Sequence, residues 1–294
     1  MRSPRRILVA TDFSAAADRA LDTALDIAAR SQAEVHLVHA LALPSHYYAP
    51  YDISLPNDFD AEARKHAQQQ LAEREERVRA AGSTGGSHLG SAPAAWCIAE
   101  RAQELGADLV VIGSRGHTGL KRFALGSVAE ATVKRSPVSV LTVRGEGDAD
   151  LPKVIVVGVD FSAHSEEAVA LAFDWARNFS AELHLVHGFH PPLTGVTRYE
   201  VPIPVLWTQL ARDDAHRRLT ALAAGLTDID VKTEVLSDAP DVALDAVAER
   251  VRADLIVTGS RGLGGVKHAL LGSVAERTLR HAPCSVLTVK GKLG

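Results

Sequence analysis

The sequence predicts an α/β fold made of two tandem domains, each a doubly wound parallel sheet of five strands in the order 3-2-1-4-5. Three observations carry this. The chain has 294 residues, a length that suits two domains. The stretch from Gly113 to Val143 returns without a gap from Gly259 to Val289, with about 19 of 31 positions identical, so one structural unit is used twice. Short runs rich in Val and Ile alternate with longer helical patterns in both halves, the alternation that builds parallel sheets.

The elements follow in order. Ile7–Ala10 reads as the first strand, and Asp12-Phe13-Ser14 as a turn whose Ser14 caps a helix from Ala15 to about Arg30. Leu21, Leu25 and Ala28 give that helix its apolar face. Val35–Ala40 is the second strand. His36 and His39 are three apart on it, so they face opposite ways and cannot share a site; each is expected to be a satisfied structural histidine. Leu41–Phe59, with three prolines among Tyr47, Tyr48 and Tyr51, reads as a surface loop or a lid. Asp60–Ala81 is a charged helix whose AEREERVRA run reads as a solvated face. Gly82–Ser91 is poor in β-branched residues, so the third strand is expected to be short or frayed, as an edge tolerates. A helix over Pro93–Leu105, the buried strand Leu109–Ile112 and the repeated stretch follow, and Ser139–Val143 closes the domain.

Residues 145–152 are polar and glycine-bearing and read as a linker, giving domains over 1–144 and 153–294. The second half repeats the order: a strand at Val154–Val159, the turn Asp160-Phe161-Ser162, a helix over Ser165–Asn178 and a strand at Glu182–His187. A proline-broken excursion over Pro191–Val205, carrying Tyr199 with Trp207 nearby, leads to a long helix from about Leu206 to Ala224. Asp230–Leu236 is the third strand, Val242–Val251 a helix, and the repeated stretch returns. The last strand of each domain, Val138–Val143 and Ser285–Val289, is an apolar edge that invites pairing, within the chain or in a homodimer.

Chemistry is expected in the repeated loop. Gly113, Gly116 and Gly126 match Gly259, Gly262 and Gly272, spaced G-x2-G-x9-G and followed by Ser127 or Ser273. Glycine permits positive φ and close approach of a ligand to backbone amides, and the helix start that follows favours an anion. Phosphate is one reading. The other is structural: Ser127-x-x-Glu130 and Ser273-x-x-Glu276 each fit a capping box. In the predicted strand order the first and fourth strands are neighbours, which brings Asp12 beside Gly113 and Asp160 beside Gly259 at the switch-point crevice. Each Asp either accepts from a ribose hydroxyl or helps cap the next helix. Arg115 and Arg261, with Lys121 and Lys267, either neutralise phosphate or are surface cations.

The loop spacing, with ILVATDFS at 7–14 and VIVVGVDFS at 154–162, resembles the nucleotide-binding signature of the universal stress protein family, and the resemblance covers nearly the whole chain. It implies a HUP or Rossmann-like sheet and ATP as the ligand, with Mg²⁺ riding on the phosphates. The first site would comprise Ala10, Thr11, Asp12 and Ala40 at the ribose and base, with Gly113, Arg115, Gly116, Gly126, Ser127 and Val128 at the phosphates. The second would comprise Gly158, Val159, Asp160, Gly188, Gly259, Arg261, Gly262, Gly272, Ser273 and Val274. Ala10 stands where family members often carry proline, and Ala40 and Gly188 where a branched aliphatic is usual, so base packing is expected to be weaker. Because Gly188 lacks the methyl of Ala40, the second site is expected to be the weaker of the two.

Composition limits the alternatives. The chain is 46% hydrophobic and 23% charged with a net charge of −4, so no basic footprint argues for nucleic acid. No signal-peptide h-region and no long apolar span is present, so no membrane partner is expected. Two cysteines at unmatched positions fit a reducing cytoplasm. There is no G-x4-G-K-[ST] loop, no G-x-S-x-G elbow and no Cys/His spacing for zinc, so no catalytic and no metal-binding residue is assigned. The expected function is an ATP-binding stress-response module whose occupancy alters a regulatory partner or assembly. The rival is a slow ATPase or nucleotide-dependent transferase on the same fold.

Overall fold

The computed structural model describes residues 3–41, 58–91, 93–116, 125–145, 151–189, 205–262 and 271–291. The chain divides into two compact units, Pro4–Asp150 and Leu151–Gly294. The Tyr-bearing stretches after the second strand of each unit lie almost wholly outside the described residues, as do Lys121 and Lys267.

The first unit runs β1 (Arg6–Ala10), α1 (Ala15–Ser31), β2 (Glu34–Ala40), α2 (Phe59–Ala80), β3 (Ser87–Gly90), α3 (Ala94–Leu105), β4 (Leu109–Gly113), α4 (Ser127–Arg135) and β5 (Ser139–Val143). Its strands pair in parallel in the order 3-2-1-4-5. β1 and β4 lie at the centre, and Ile7, Leu8, Val110 and Val111 are fully buried, as unbroken apolar runs require. Ser14 caps α1 by accepting from the Ala17 amide at 3.3 Å. Ala17, Leu21, Ala24 and Ala28 recur at helical spacing and form its buried stripe.

β3 has only four residues, in line with the expectation. The glycine-serine run before it is nonetheless specified. The Ser83 hydroxyl takes the Val35 amide at 2.9 Å and gives to the Ala33 carbonyl at 3.1 Å, standing in for strand backbone. At Gly85 a Cβ would collide with the Val35 carbonyl, so only glycine lets the chain pass this close to β2. The charged helix differs from the sequence reading at two positions of its charged run. Val78 is buried, and Arg74 is buried rather than solvated, with its guanidinium on both Asp18 oxygens.

The second unit runs β6 (Val154–Gly158), α5 (Ala163–Phe179), β7 (Glu182–Gly188), α6 (Val205–Ala224), β8 (Val231–Leu236), α7 (Pro240–Val251), β9 (Leu255–Gly259), α8 (Ser273–His281) and β10 (Ser285–Val289). Its parallel pairing repeats the order, 8-7-6-9-10. α5 starts two residues earlier than expected because Ser162, not a later residue, is the cap: its hydroxyl accepts from the Ser165 amide at 3.2 Å. β8, with Val, Lys and Thr in place of glycine and serine, is a full six-residue strand.

Candidate functional site

In each unit the first and fourth strands end side by side, with Ala10 in register with Ile112 and Val157 with Val257. The acidic residue that follows the first strand serves two ends. Asp12 Oδ1 accepts from the Ser14 amide at 3.1 Å, and Asp160 Oδ1 from the Ser162 amide at 2.9 Å and its hydroxyl at 2.5 Å. This fixes the turn before the helix. The other oxygen, Oδ2, lies against Gly116 or Gly262 of the facing loop, where any Cβ would strike it. The turn role and a crevice-facing carboxylate therefore coexist in one side chain.

The turn itself is held tightly. Thr11 gives its amide to Val38 at 3.0 Å, and its hydroxyl accepts from Phe13 at 3.0 Å. Its carbonyl accepts from His39 Nδ1 at 2.8 Å. In the second unit His187 Nδ1 meets the Val159 carbonyl at 2.7 Å. Phe13 and Phe161 both adopt a left-handed φ, 67° and 62°, which is unfavourable for a bulky residue and is repeated at the same place in both units. Each ring is packed by a histidine and an arginine: His39 stacks on Phe13 at 4.3 Å with Arg74 at 5.0 Å, and Arg218 lies at 3.9 Å from Phe161 with His187 tilted beside it. His39 and His187 are thus structural. Burial pushes the His39 pKa down, and the Thr11 carbonyl and Asp12 charge oppose that.

The capping-box reading fails in both copies. Gly126 and Gly272 are the N-caps, the serines are the first helical residues, and neither helix has a side-chain cap. Gly126 and Gly272 donate to Ser114 and Ser260 at 2.8 Å, which closes each loop under the helix start. Ser127, Val128 and Ser273 are exposed, and a helix start leaves its first amides without intrahelical partners at the positive end of the dipole. Nor do the described signature glycines need positive φ; among the described residues the glycines with such angles are Gly82, Gly106 and Gly145. Gly113 and Gly259 are required for another reason. A Cβ there would stand 2.8 Å from the Ala16 carbonyl or 3.0 Å from that of His164, so they let the first helix of each unit close on the sheet.

In the second unit these parts enclose a cavity of about 530 Å³, within the usual range for small-molecule sites. All ten residues singled out in that half line it, from Gly158, Val159 and Asp160 through Gly188 to Ser273 and Val274. Sequence reasoning missed the opposite wall, Pro240 and Leu244 of α7, and the floor residues Val186 and Thr258. Aligning α3 with α7 and comparing Ile112 with Thr258 are the signals that would have found them. Gly188 also carries a correction. A methyl there would lie 2.7 Å from Pro240 Cα and 2.9 Å from Ala243 Cβ, so it would strike α7 rather than contact a ligand. In the first unit Ala10 and Thr11 are buried, Asp12, Ala40, Arg115, Gly116 and Gly126 half-buried, and Gly113 buried at the strand end. Lys290, just after β10, is pushed down to about 8 by burial, with Arg261 a like-charged neighbour.

Two doubly wound parallel sheets, each with an acidic turn facing a glycine loop at the switch point, define a tandem α/β protein of the kind whose ligands bind at strand ends. The chain belongs to the universal stress protein family, whose model matches residues 4–144 and again 152–290. A universal stress protein of Mycolicibacterium smegmatis is 29% identical over 97% of this chain and 96% of its own length. One from Mycobacterium tuberculosis is 33% identical over 63% of this chain, and the match spans 62% of that relative. The crystal structure of a universal stress protein from Archaeoglobus fulgidus has the same fold, with a TM-score of 0.73 at 23% identity over 98% of this chain and 96% of that one.

Proposed function

We propose that this chain is an adenine-nucleotide-binding module whose occupancy, by ATP, alters a regulatory partner or its assembly. The observation that carries the reading is the second-unit cavity: an uncapped helix start and glycine loop at one end, a carboxylate midway, and apolar Val159, Val186 and Leu244 at the other. Phosphates fit the amides of Ser273, Val274 and Ala275, with Arg261 nearby to offset their charge. Asp160 Oδ2 accepts from a ribose hydroxyl, and the base lies on the apolar wall. Ser127, Val128, Arg115 and Asp12 take the same roles in the first unit, with Ala10, Thr11 and Ala40 at the base.

Among the described residues there is no group of three or more His, Cys, Asp or Glu that could hold a metal ion. Mg²⁺ in this reading is carried by the nucleotide's own phosphates, and the reading assigns no residue as a base for an attacking water. Turnover is therefore expected to be slow. Among the described residues no helix is long and apolar enough to cross a membrane. Cys97 and Cys284 are not joined in a disulfide, which is in keeping with a place in the reducing cytoplasm. The test is to denature protein as purified, identify released nucleotide by chromatography, and titrate stripped protein with ATP by calorimetry. Absence of both bound nucleotide and binding heat would overturn the reading. Turnover at about 1–100 per second, the range of kinases, would make the protein an enzyme instead.

A further inference from the structure

We infer that acidification releases the edge strand β3 of the first unit from β2 through the touching pair His36 and His88, while the matching strand of the second unit, β8, stays paired. This stands independently of the nucleotide reading. β3 pairs with β2 over a short register, from Leu37 with Ser87 to Ala40 with Gly90. His36 of β2 and His88 of β3 lie side by side there, their rings stacked at 5.6 Å. The Gly86 amide donates to His36 Nδ1 at 3.3 Å, and His88 Nε2 lies 3.4 Å from the same atom. A backbone amide can only donate, so His36 Nδ1 carries a lone pair and the ring proton is on Nε2. His88 therefore donates from Nε2, and two neutral rings help close β3 onto β2.

The closed pair accommodates one added proton but not two. A proton on His88 Nδ1 leaves the contact intact. A further proton on His36 Nδ1 sets its N–H against the Gly86 amide and the His88 N–H, and puts two cationic rings in contact. The surrounding charges are already engaged. Glu34 lies 3.5 Å from His36 Nε2 but is held by Arg6 of β1 at 2.7 Å. On α3, Arg101 pairs with Glu104 at 2.8 Å, and on α2, Glu75 takes the Ser87 hydroxyl and Arg79. Burial and Arg101 push the His88 pKa down, with His36 adding to this and Glu104 and Glu75 opposing it. In the released strand both rings protonate near about 6.5. The open form then binds more protons than the closed one, so closure weakens as pH falls below that value.

The second unit reverses the chemistry at the same place. Glu234 pairs with Val186 as His88 pairs with Val38, so a carboxylate stands where the first unit has its second imidazole. His184, the counterpart of His36, is 2% exposed. Its Nε2 lies 2.7 Å from Glu182 Oε1 and its Nδ1 3.5 Å from Glu234 Oε1. A proton on His184 thus meets a carboxylate at each nitrogen, while Lys232 and Arg250 balance the two glutamates from outside. Acid adds attraction between β7 and β8 where it adds repulsion between β2 and β3.

The experiment is amide hydrogen exchange on the full chain, read by mass spectrometry as protection factors for β3 and β8 at about pH 7 and about pH 5.5. Protection of β3 is expected to fall about eightfold, the factor for one proton that the open strand takes and the closed strand refuses. β8 is expected to keep its protection. His88→Glu gives the first unit the carboxylate of the second and is expected to abolish the fall. Glu234→His is expected to bring the fall to β8, and it carries the test if His88→Glu does not fold. A purely structural histidine would change protection equally at both pH values. Equal protection of β3 at the two pH values in the parent, an equal fall in β8, or a fall in β3 that persists in His88→Glu overturns the inference.

Discussion

Arg74 sits in the sequence among Glu73, Glu75, Glu76 and Arg77, a pattern that a solvated helix face would share. In the fold its guanidinium holds Asp18 through two bonds of 2.7 and 3.0 Å, reaches the Phe13 carbonyl at 3.3 Å, and lies on the Phe13 ring. It therefore braces the strained turn that carries Asp12. Helix periodicity could not reveal this, because the partner is 56 residues away and the charge pattern is the same either way. Breaking a buried pair from one side is costly, but Asp18 also meets Arg77 at 3.2 Å and stays partly solvated. Arg74→Leu is expected to destabilise the first unit by about 2 kcal/mol, seen as a lower urea midpoint. Arg74→Lys should recover only part, since an ammonium cannot hold both oxygens. A midpoint unchanged in Arg74→Leu would restore the solvated reading. Asp12 and Asp160 were legible at this scale as turn residues: one oxygen serves the turn, and the other lies against the loop glycine.

At the scale of elements, strand order and helix positions were legible because Val- and Ile-rich runs and N-cap serines mark them in both halves. The start of α4 and α8 was not. A serine three residues before a glutamate fits a capping box, but the cap falls one residue earlier, on the glycine. Pattern alone cannot distinguish a cap from a first helical residue when both fit. The end of β10 was equally silent, since nothing in a single lysine announces burial. Lys290 has a folded pKa of about 8, below its ordinary value of 10.5. The unfolded chain then holds the proton more firmly, so stability is expected to rise as pH climbs from about 8 toward 10.5. Below that window the desolvation cost is fully present. Lys290→Met is expected to stabilise the second unit at pH 7 and to flatten its rise across the window. Denaturation curves that stay parallel for parent and variant from pH 7 to 10 would mean that the ammonium is solvated.

For the whole molecule, the repeat made both the doubling and the family legible, because the glycine spacing survives in each half. What it concealed was the difference between the halves, which sits in the floor rows and in α7 rather than in the signature. Both units set a carboxylate against the loop glycine, so two nucleotides per chain are expected in calorimetry. Gly116→Val should remove the first site alone and Gly262→Val the second alone. The mechanism is displacement: the new side chain strikes the Asp12 or Asp160 carboxylate and pushes it from the crevice, with no demand on φ. A methyl at Gly188 would meet Pro240 Cα, so the lack of that methyl is no measure of ligand contact at this position. If the parent binds one nucleotide and Gly116→Val leaves it untouched, the first unit is a structural copy whose crevice has lost its ligand.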